Sequence, residues 1–103
     1  LQKVARLLQC EVRKPFIACR HGGEEFAVIM PNSSAADATV LAERLRRELA
    51  NLVESDAPLT LSIGLASLAD GPFDRPEQLF AAADEALYAA KRGGRDQLVC
   101  YQG

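Results

Sequence analysis

The sequence predicts an α+β domain in which helices pack on an antiparallel sheet. Three observations support this fold class. Apolar residues recur at helical spacing in three segments, alternate with polar residues in another, and flank a glycine pair between two β-prone runs. The length of 103 residues suits one domain. The expected order of elements is helix, hairpin, helix, strand, helix, strand.

The first helix and the hairpin are predicted from their boundaries. Apolar residues recur at helical spacing up to Val12, and Pro15 ends that helix. Two β-prone runs follow, at 16–19 and 26–30. The adjacent glycines between these runs favour a tight hairpin, because primed turns require the positive φ that glycine adopts most readily.

Two longer helices are predicted from their first residues. Ser34 and Asp37 have the spacing of a capping box, and Pro76 suits the start of a later helix that ends at the glycines 93–94. One face of each helix is apolar and is expected to face the core. These residues are Ala38, Leu41, Ala42, Leu45, Leu49 and Leu52 in the second helix, and Leu79, Phe80, Ala83, Ala86, Leu87 and Ala90 in the third.

Two short strands complete the prediction. Between 59 and 65, leucine and isoleucine alternate with threonine, serine and glycine, which is typical of a strand with one buried face. A second β-prone segment spans 97–101. The chain shows no internal repeat, linker or low-complexity segment, so all elements are assigned to one unit.

Composition excludes several classes of partner. A formal net charge of −2 provides no basic patch for a nucleic-acid polymer. No apolar run approaches the roughly 20 residues that cross a bilayer, so direct membrane insertion is not expected. The three cysteines lack the spacing of metal ligands, and no signal peptide is visible. We therefore expect buried, reduced thiols in a cytoplasmic protein.

The predicted hairpin carries the strongest candidate site, Arg-His-Gly-Gly-Glu-Glu-Phe at 20–26. Gly22 and Gly23 would let a phosphate approach bare backbone. Glu24 and Glu25 concentrate the oxygen ligands that magnesium prefers, although two solvated glutamates at a hairpin tip would give the same pattern. Adjacent strand residues point to opposite faces, so both carboxylates cannot serve one site equally. The stretch predicts a site for a metal-bound nucleotide.

The same stretch resembles the signature of the GGDEF family, the diguanylate cyclases, in its Gly-Gly-Glu-Glu-Phe form. Further segments at 28–31, 61–64, 83–91 and 94–95 match in the family's order and spacing, so the resemblance spans essentially the whole chain. It implies a ferredoxin-like palm of the nucleotidyl cyclase type. It also implies a homodimer that holds one GTP per subunit, uses Mg²⁺ or Mn²⁺, and condenses two GTP into cyclic di-GMP and pyrophosphate.

The resemblance further implies that residues 1–103 are the C-terminal two-thirds of a single GGDEF domain. In the family, a strand and a helix precede the position of Leu1, and they carry a metal-binding aspartate, guanine-recognising residues and a lysine. We expect these residues alone to be inactive, and either marginally stable or completed by strand addition from another chain. A sensory or receiver domain is expected upstream in the parent protein.

Roles for individual residues also follow from the resemblance. Glu24 matches the acidic position that binds metal and acts as base toward the 3′-hydroxyl, and Glu25 is a second candidate metal ligand. Lys91 and Arg95 match residues that contact the triphosphate. Cations after a helix C-terminus would complement the helix dipole in any case. The family's asparagine after the arginine is Asp96 here.

Many family members carry an inhibitory product site, Arg-x-x-Asp, five residues before the glycine pair. This chain keeps the arginine as Arg13 but has Phe16 at the aspartate position. Arg44 matches a secondary arginine of that site, although it could equally pair with Glu48 on its own helix. Weak or absent product inhibition is expected.

Two other functions stay open. A catalytically inactive GGDEF module could bind GTP or a partner protein as a regulator, and a metal-binding aspartate upstream of Leu1 would favour the enzyme instead. A structural domain with a coincidental acidic turn is disfavoured by five matches in the family's order.

Overall fold

A computed structural model describes residues 2–12, 17–22, 25–52 and 61–101 of the chain. The predicted order of elements is confirmed within these segments, with a single 3₁₀ turn added at Leu68–Asp70. The elements are α1 (Gln2–Glu11), β1 (Ile17–Gly22), β2 (Glu25–Ile29), α2 (Ala35–Leu52), β3 (Ile63–Leu65), α3 (Pro76–Arg92) and β4 (Leu98–Cys100). The part of the predicted strand at 59–60 lies outside the described residues.

The start of α2 confirms the predicted capping box. The backbone N–H of Asp37 donates to Ser34 Oγ at 3.1 Å, and the N–H of Ser34 donates to Asp37 Oδ2 at 3.2 Å. The unpredicted 3₁₀ turn also begins with a capping box, in which the Ser67 N–H donates to Asp70 Oδ2 at 2.8 Å. The Ser-x-x-Asp spacing at 67–70 was therefore a usable signal for that turn.

The described strands form two pairs. β1 and β2 are antiparallel, as the hairpin prediction requires, with Ile17 opposite Ile29. β3 and β4 are parallel, with Ile63 opposite Leu98, which differs from the wholly antiparallel sheet expected. The reason is the connection, because α3 crosses between β3 and β4 and returns the chain in the same direction.

One part of the core lies between α1, α2 and the hairpin. Leu49 of α2 is fully buried, and partly buried residues of β2 and its end pack against the same cluster. The buried residues of this cluster are Leu7, Leu8, Leu41, Leu45 and Leu49, joined by the strand-side residues Phe26, Val28 and Met30. The leucine spacing in α2 predicted the α2 side of this cluster.

The packing of α3 depends on small side chains. Its buried residues are Ala82, Ala86 and Ala90, a stripe at four-residue spacing. This stripe places Ala82 at the core, which the predicted face omitted, while Leu87 is only half-buried. Gly64 of β3 lies against the α3 backbone, so the small residues allow a close approach of helix and strand.

The cysteines are less buried than expected. Cys100 is half-buried, and Cys10 is exposed on α1, so the expectation of buried thiols is wrong for Cys10. These two described cysteines do not form a disulfide with each other. The side chain of Cys19 lies outside the described set. Among the residues described, no helix combines the length and the apolarity that a membrane crossing requires.

Candidate functional site

The turn after α3 carries two of the predicted site residues. Lys91 lies in the last turn of α3, and Arg95 follows three residues after the helix ends. The N–H of Gly93 donates to the carbonyl oxygen of Ala89 at 2.9 Å, and that of Arg95 donates to Ala90 at 3.0 Å. These bonds satisfy carbonyl groups at the helix end and keep Arg95 next to the last helical turn.

The backbone of this turn is left-handed at three consecutive residues. The φ angles are +116° at Gly94, +63° at Arg95 and +47° at Asp96. Glycine adopts such angles readily, but residues with a Cβ pay about 1–2 kcal/mol each. A strained conformation of this kind persists only where surrounding contacts hold it.

Contacts from three parts of the fold hold the turn. Arg46 of α2 donates from Nη2 to the carbonyl oxygen of Asp96 at 2.6 Å and to its Oδ1 at 3.0 Å. The N–H of Asp96 donates to Ser62 Oγ at 3.1 Å, just before β3. Gln97 Nε2 donates to the carbonyl oxygen of Ala90 at 2.9 Å. The conformation of the turn is therefore set by α2, β3 and the end of α3 together.

Arg46 links two carboxylates. Its Nη1 lies 2.9 and 3.2 Å from the two carboxylate oxygens of Glu43, one turn earlier on α2. The side chain is only 23% exposed, and its buried Nε has no hydrogen-bond partner among the described residues. The hydrogen bond to Asp96 chiefly raises the pKa of Arg46, against the opposing effect of burial, and the charge of Glu43 adds to the rise. The guanidinium is therefore a fixed positive charge.

Sequence reasoning missed this role of Arg46. In the sequence, Arg46 is one of several charged residues between the apolar positions of α2, among them Glu43 and Arg47, and nothing local sets it apart. Asp96 lies 50 positions away in the chain, so no local pattern connects the two residues. The spacing of Arg46 and Glu43 on one helix face was the sole local signal, and it indicates nothing about the turn.

The hairpin places Gly22 at the end of β1, opposite Glu25 at the start of β2. Arg20 pairs with Phe26, so β1 has one extra residue, His21, before the next pair. Such a bulge bends a strand and is common beside binding sites. The backbone thus confirms the two antiparallel strands of the hairpin, whereas their connection at 23–24 lies outside the described residues.

The roles predicted for the glutamates stay predictions. Gly23 and Glu24 lie outside the described residues, and of Glu25 only the backbone is described. Across the described part of the chain, no three His, Cys, Asp or Glu residues group as a metal site. That result does not bear on the acidic pair at 24–25.

Helix α2 contacts both the hairpin and the turn after α3. Phe26, Val28 and Met30 from the hairpin pack against the core that includes α2. Arg46, on the same helix, contacts the turn that carries Arg95. The described part of the hairpin and the turn after α3 are therefore both in contact with the α2 side of the core.

The residues of the expected inhibitory site are only partly described. Arg13 lies outside the described residues. Arg44 Nε pairs with Glu11 Oε2 of α1 at 3.1 Å, in place of the Glu48 partner considered from the sequence. The Arg44 side chain is 45% exposed, so an anionic ligand would have to compete with Glu11 for it.

Known proteins show the same sequence pattern. Residues 1–97 match the family described as "Diguanylate cyclase, GGDEF domain". Response regulator PleD of Caulobacter vibrioides is 41% identical over 105 residues, which cover 96% of this chain and 23% of PleD. Diguanylate cyclase A of Treponema denticola is 33% identical over 102 residues, covering 95% of this chain and 27% of that protein. The chain therefore spans less than a third of the length of these curated relatives.

Solved structures show the same fold. The active GGEEF domain of a diguanylate cyclase from Vibrio cholerae has a TM-score of 0.89 at 30% identity, covering 100% of this chain and 67% of that one. The GGDEF domain of DgcB from Caulobacter crescentus, solved in complex with c-di-GMP, has a TM-score of 0.88 at 30% identity, covering 99% and 63%. The expected α+β palm of the nucleotidyl cyclase type is confirmed. By sequence and by fold, the chain belongs to the GGDEF family of diguanylate cyclase domains.

Proposed function

We propose that the protein containing this domain is a diguanylate cyclase, which condenses two GTP molecules into cyclic di-GMP and two pyrophosphates. One observation carries the proposal: the family match over residues 1–97 includes an unaltered Gly-Gly-Glu-Glu-Phe signature at 22–26. The strand pairing supports it, because Gly22 and Glu25 stand opposite each other where the hairpin turns.

The acidic pair suits a magnesium or manganese ion. Glu24 and Glu25 supply hard oxygen ligands, which these ions prefer, and Glu25 begins β2 opposite Gly22. The bound ion would supply neutralisation of charge on the reacting phosphate and on the pyrophosphate leaving group. In this proposal Glu24 holds the ion, and Glu25 is a second ligand.

Residues of the chain itself accept the proton and bind the phosphates. In each condensation, the 3′-oxygen of one GTP forms a bond to the α-phosphorus of the other, and the bond from that phosphorus to pyrophosphate breaks. Glu24 accepts the hydroxyl proton. Lys91 and Arg95 bind the phosphates, and the backbone of Gly22 and Gly23 allows their close approach.

Turnover requires two copies of the domain. Each domain holds one GTP, so the hydroxyl of one nucleotide reaches the phosphate of the other only when two domains face each other. Upstream sensory or receiver regions would control this homodimerisation, and the supply of GTP places the domain in the cytoplasm. With Phe16 at the aspartate position of the inhibitory motif, feedback by the product is weak.

The test uses the full-length natural chain with GTP and Mg²⁺, and cyclic dinucleotide is measured by chromatography. Product should form at a rate per chain that rises with protein concentration, because a dimer is required. Glu24→Gln should reduce the rate by roughly 10²–10⁴-fold, the range that general acid–base catalysis contributes. Glu85→Gln, the same change at an exposed α3 position, is the control and should leave the rate unchanged.

Two results would contradict the proposal. If the wild-type chain binds GTP and forms no product at high protein concentration, the domain is a nucleotide-binding regulator. If Glu24→Gln retains full activity, the assignment of the acidic residue is wrong.

A further inference from the structure

We propose that Arg46 is a positioning residue for the phosphate-binding turn: its guanidinium holds residues 94–96 in the conformation that presents Arg95 to a polyphosphate. The role of Arg95 as a phosphate ligand rests on the proposed function. The role of Arg46 rests on the observed contacts between α2 and the turn.

The two hydrogen bonds from Arg46 constrain Asp96 at two points. The bond to the carbonyl oxygen orients the peptide group after Asp96, and the bond to Oδ1 orients its side chain. Nη1 is meanwhile held by Glu43 on the same helix. A planar guanidinium can reach both carboxylates at once, whereas the compact ammonium of lysine is a single point charge and cannot replace this geometry.

The turn requires such an external contact. Arg95 and Asp96 both have positive φ, which is unfavourable for residues with a Cβ. Without Arg46, the backbone is expected to relax toward ordinary angles, and the direction of the Arg95 side chain would change with it. Ser62 would still hold the N–H of Asp96, so the turn would loosen without unfolding the domain.

Charge provides a second argument. Asp96 follows Arg95 directly, and a carboxylate there would repel a polyphosphate. The Nη2 of Arg46 lies 3.0 Å from that carboxylate and offsets its charge. Arg46 therefore both shapes the turn and reduces the repulsion of an anionic ligand.

Inorganic tripolyphosphate is the probe, because its binding requires neither guanine recognition nor turnover. Binding to the full-length natural chain is measured by calorimetry for the wild type, Arg46→Met, Arg46→Lys and the control Arg47→Met. Arg47 is exposed at the next position of α2, so its replacement removes the same charge without touching the turn. Arg46→Met should weaken binding about tenfold, which corresponds to about 1.4 kcal/mol. Arg46→Lys should recover only part of the affinity, and Arg47→Met should stay within about twofold.

Kinetics and hydrogen exchange separate positioning from general stability. Arg46→Met should raise KM for GTP and leave kcat nearly unchanged, since a ground-state contact is weakened. Amide exchange should become faster in 93–97 and stay unchanged around the buried Leu45 and Leu49.

If Arg46→Met does not fold, Asp96→Asn is the second variant. It keeps both acceptor oxygens and removes the negative charge, so tripolyphosphate should bind at least as tightly as to the wild type.

The outcomes distinguish this inference from the proposed function. Unchanged tripolyphosphate affinity in a folded Arg46→Met variant overturns the inference, as does the absence of tripolyphosphate binding to the wild type. Weaker binding by Asp96→Asn also contradicts it. A wild-type chain that binds tripolyphosphate in an Arg46-dependent way but forms no cyclic dinucleotide refutes the proposed function and supports the role of Arg46.

Discussion

Replacement of Gly64 by alanine is expected to push β3 and α3 apart. A Cβ at this position would lie 2.7 Å from Leu87 Cα, and closer still to the Leu87 nitrogen and the Ala83 carbonyl oxygen. All three atoms belong to the helix backbone, so no side-chain rotation can relieve the clash. α3 would have to shift as a unit, which would loosen the packing of its own buried residues Ala82, Ala86 and Ala90.

Two opposing effects set the expected loss of stability in Gly64→Ala. Overpacking of a core typically destabilises by about 1–3 kcal/mol, and a rigid backbone neighbour favours the upper end of this range. Replacing glycine by alanine also lowers the entropy of the unfolded chain, which returns up to about 1 kcal/mol. The net destabilisation of Gly64→Ala is therefore about 2–3 kcal/mol.

Hydrogen exchange of the full-length chain measures this loss locally. A destabilisation of 2–3 kcal/mol corresponds to roughly 30- to 150-fold faster exchange of the amides in β3 and β4, if exchange follows local unfolding. The control is Ala81→Ser, which adds one atom at an exposed position of α3 and should change little. A rise of less than about threefold in Gly64→Ala would show that the helix accommodates the methyl group and would refute the steric argument.

Three further changes test the packing of the α1–α2 half of the fold. Leu49→Ala removes a side chain that is 0% exposed and should lower the free energy of unfolding by about 3–4 kcal/mol. Amide exchange should then be faster throughout α1 and α2, and protection equal to the wild type would contradict the place of Leu49 in the core. Ser34→Ala removes the cap of α2 and should lower the stability of the helix start by about 1 kcal/mol, seen as faster exchange of the amides in its first turn. Ser34→Asp should restore the protection of those amides. A double-mutant cycle on Arg44 and Glu11 should give a coupling energy below about 1 kcal/mol, because both side chains are partly exposed. The coupling energy should fall with added salt, and a value of about 2 kcal/mol or more would be inconsistent with that exposure.

The elements of the fold could be predicted because their signals are local. Ser34 and Asp37 are three residues apart, and they form the expected capping box at the start of α2. The glycines at 22–23 predicted a hairpin, and the backbones of β1 and β2 pair as its two strands, with Gly22 as the last residue of β1. Interactions across three or four residues depend little on the rest of the chain, so the sequence is enough to recognise them.

The candidate site was predicted less completely. The signature at 22–26 and the cations Lys91 and Arg95 were recognisable as a motif. The residue that holds the turn was not, because Arg46 has the same local pattern as the exposed Arg47 beside it. Only the packing of α2 beside the turn distinguishes these two arginines.

The sequence by itself determined which segments are helical, that a hairpin follows the first helix and which family the signature resembles. Tertiary structure decided how those segments meet: β3 runs parallel to β4, Arg44 pairs with Glu11, and Arg46 reaches Asp96. The physical reason is distance along the chain. Capping and turn formation depend on neighbouring residues, whereas a contact between residues 50 positions apart exists only after the core has brought α2 and the end of α3 together.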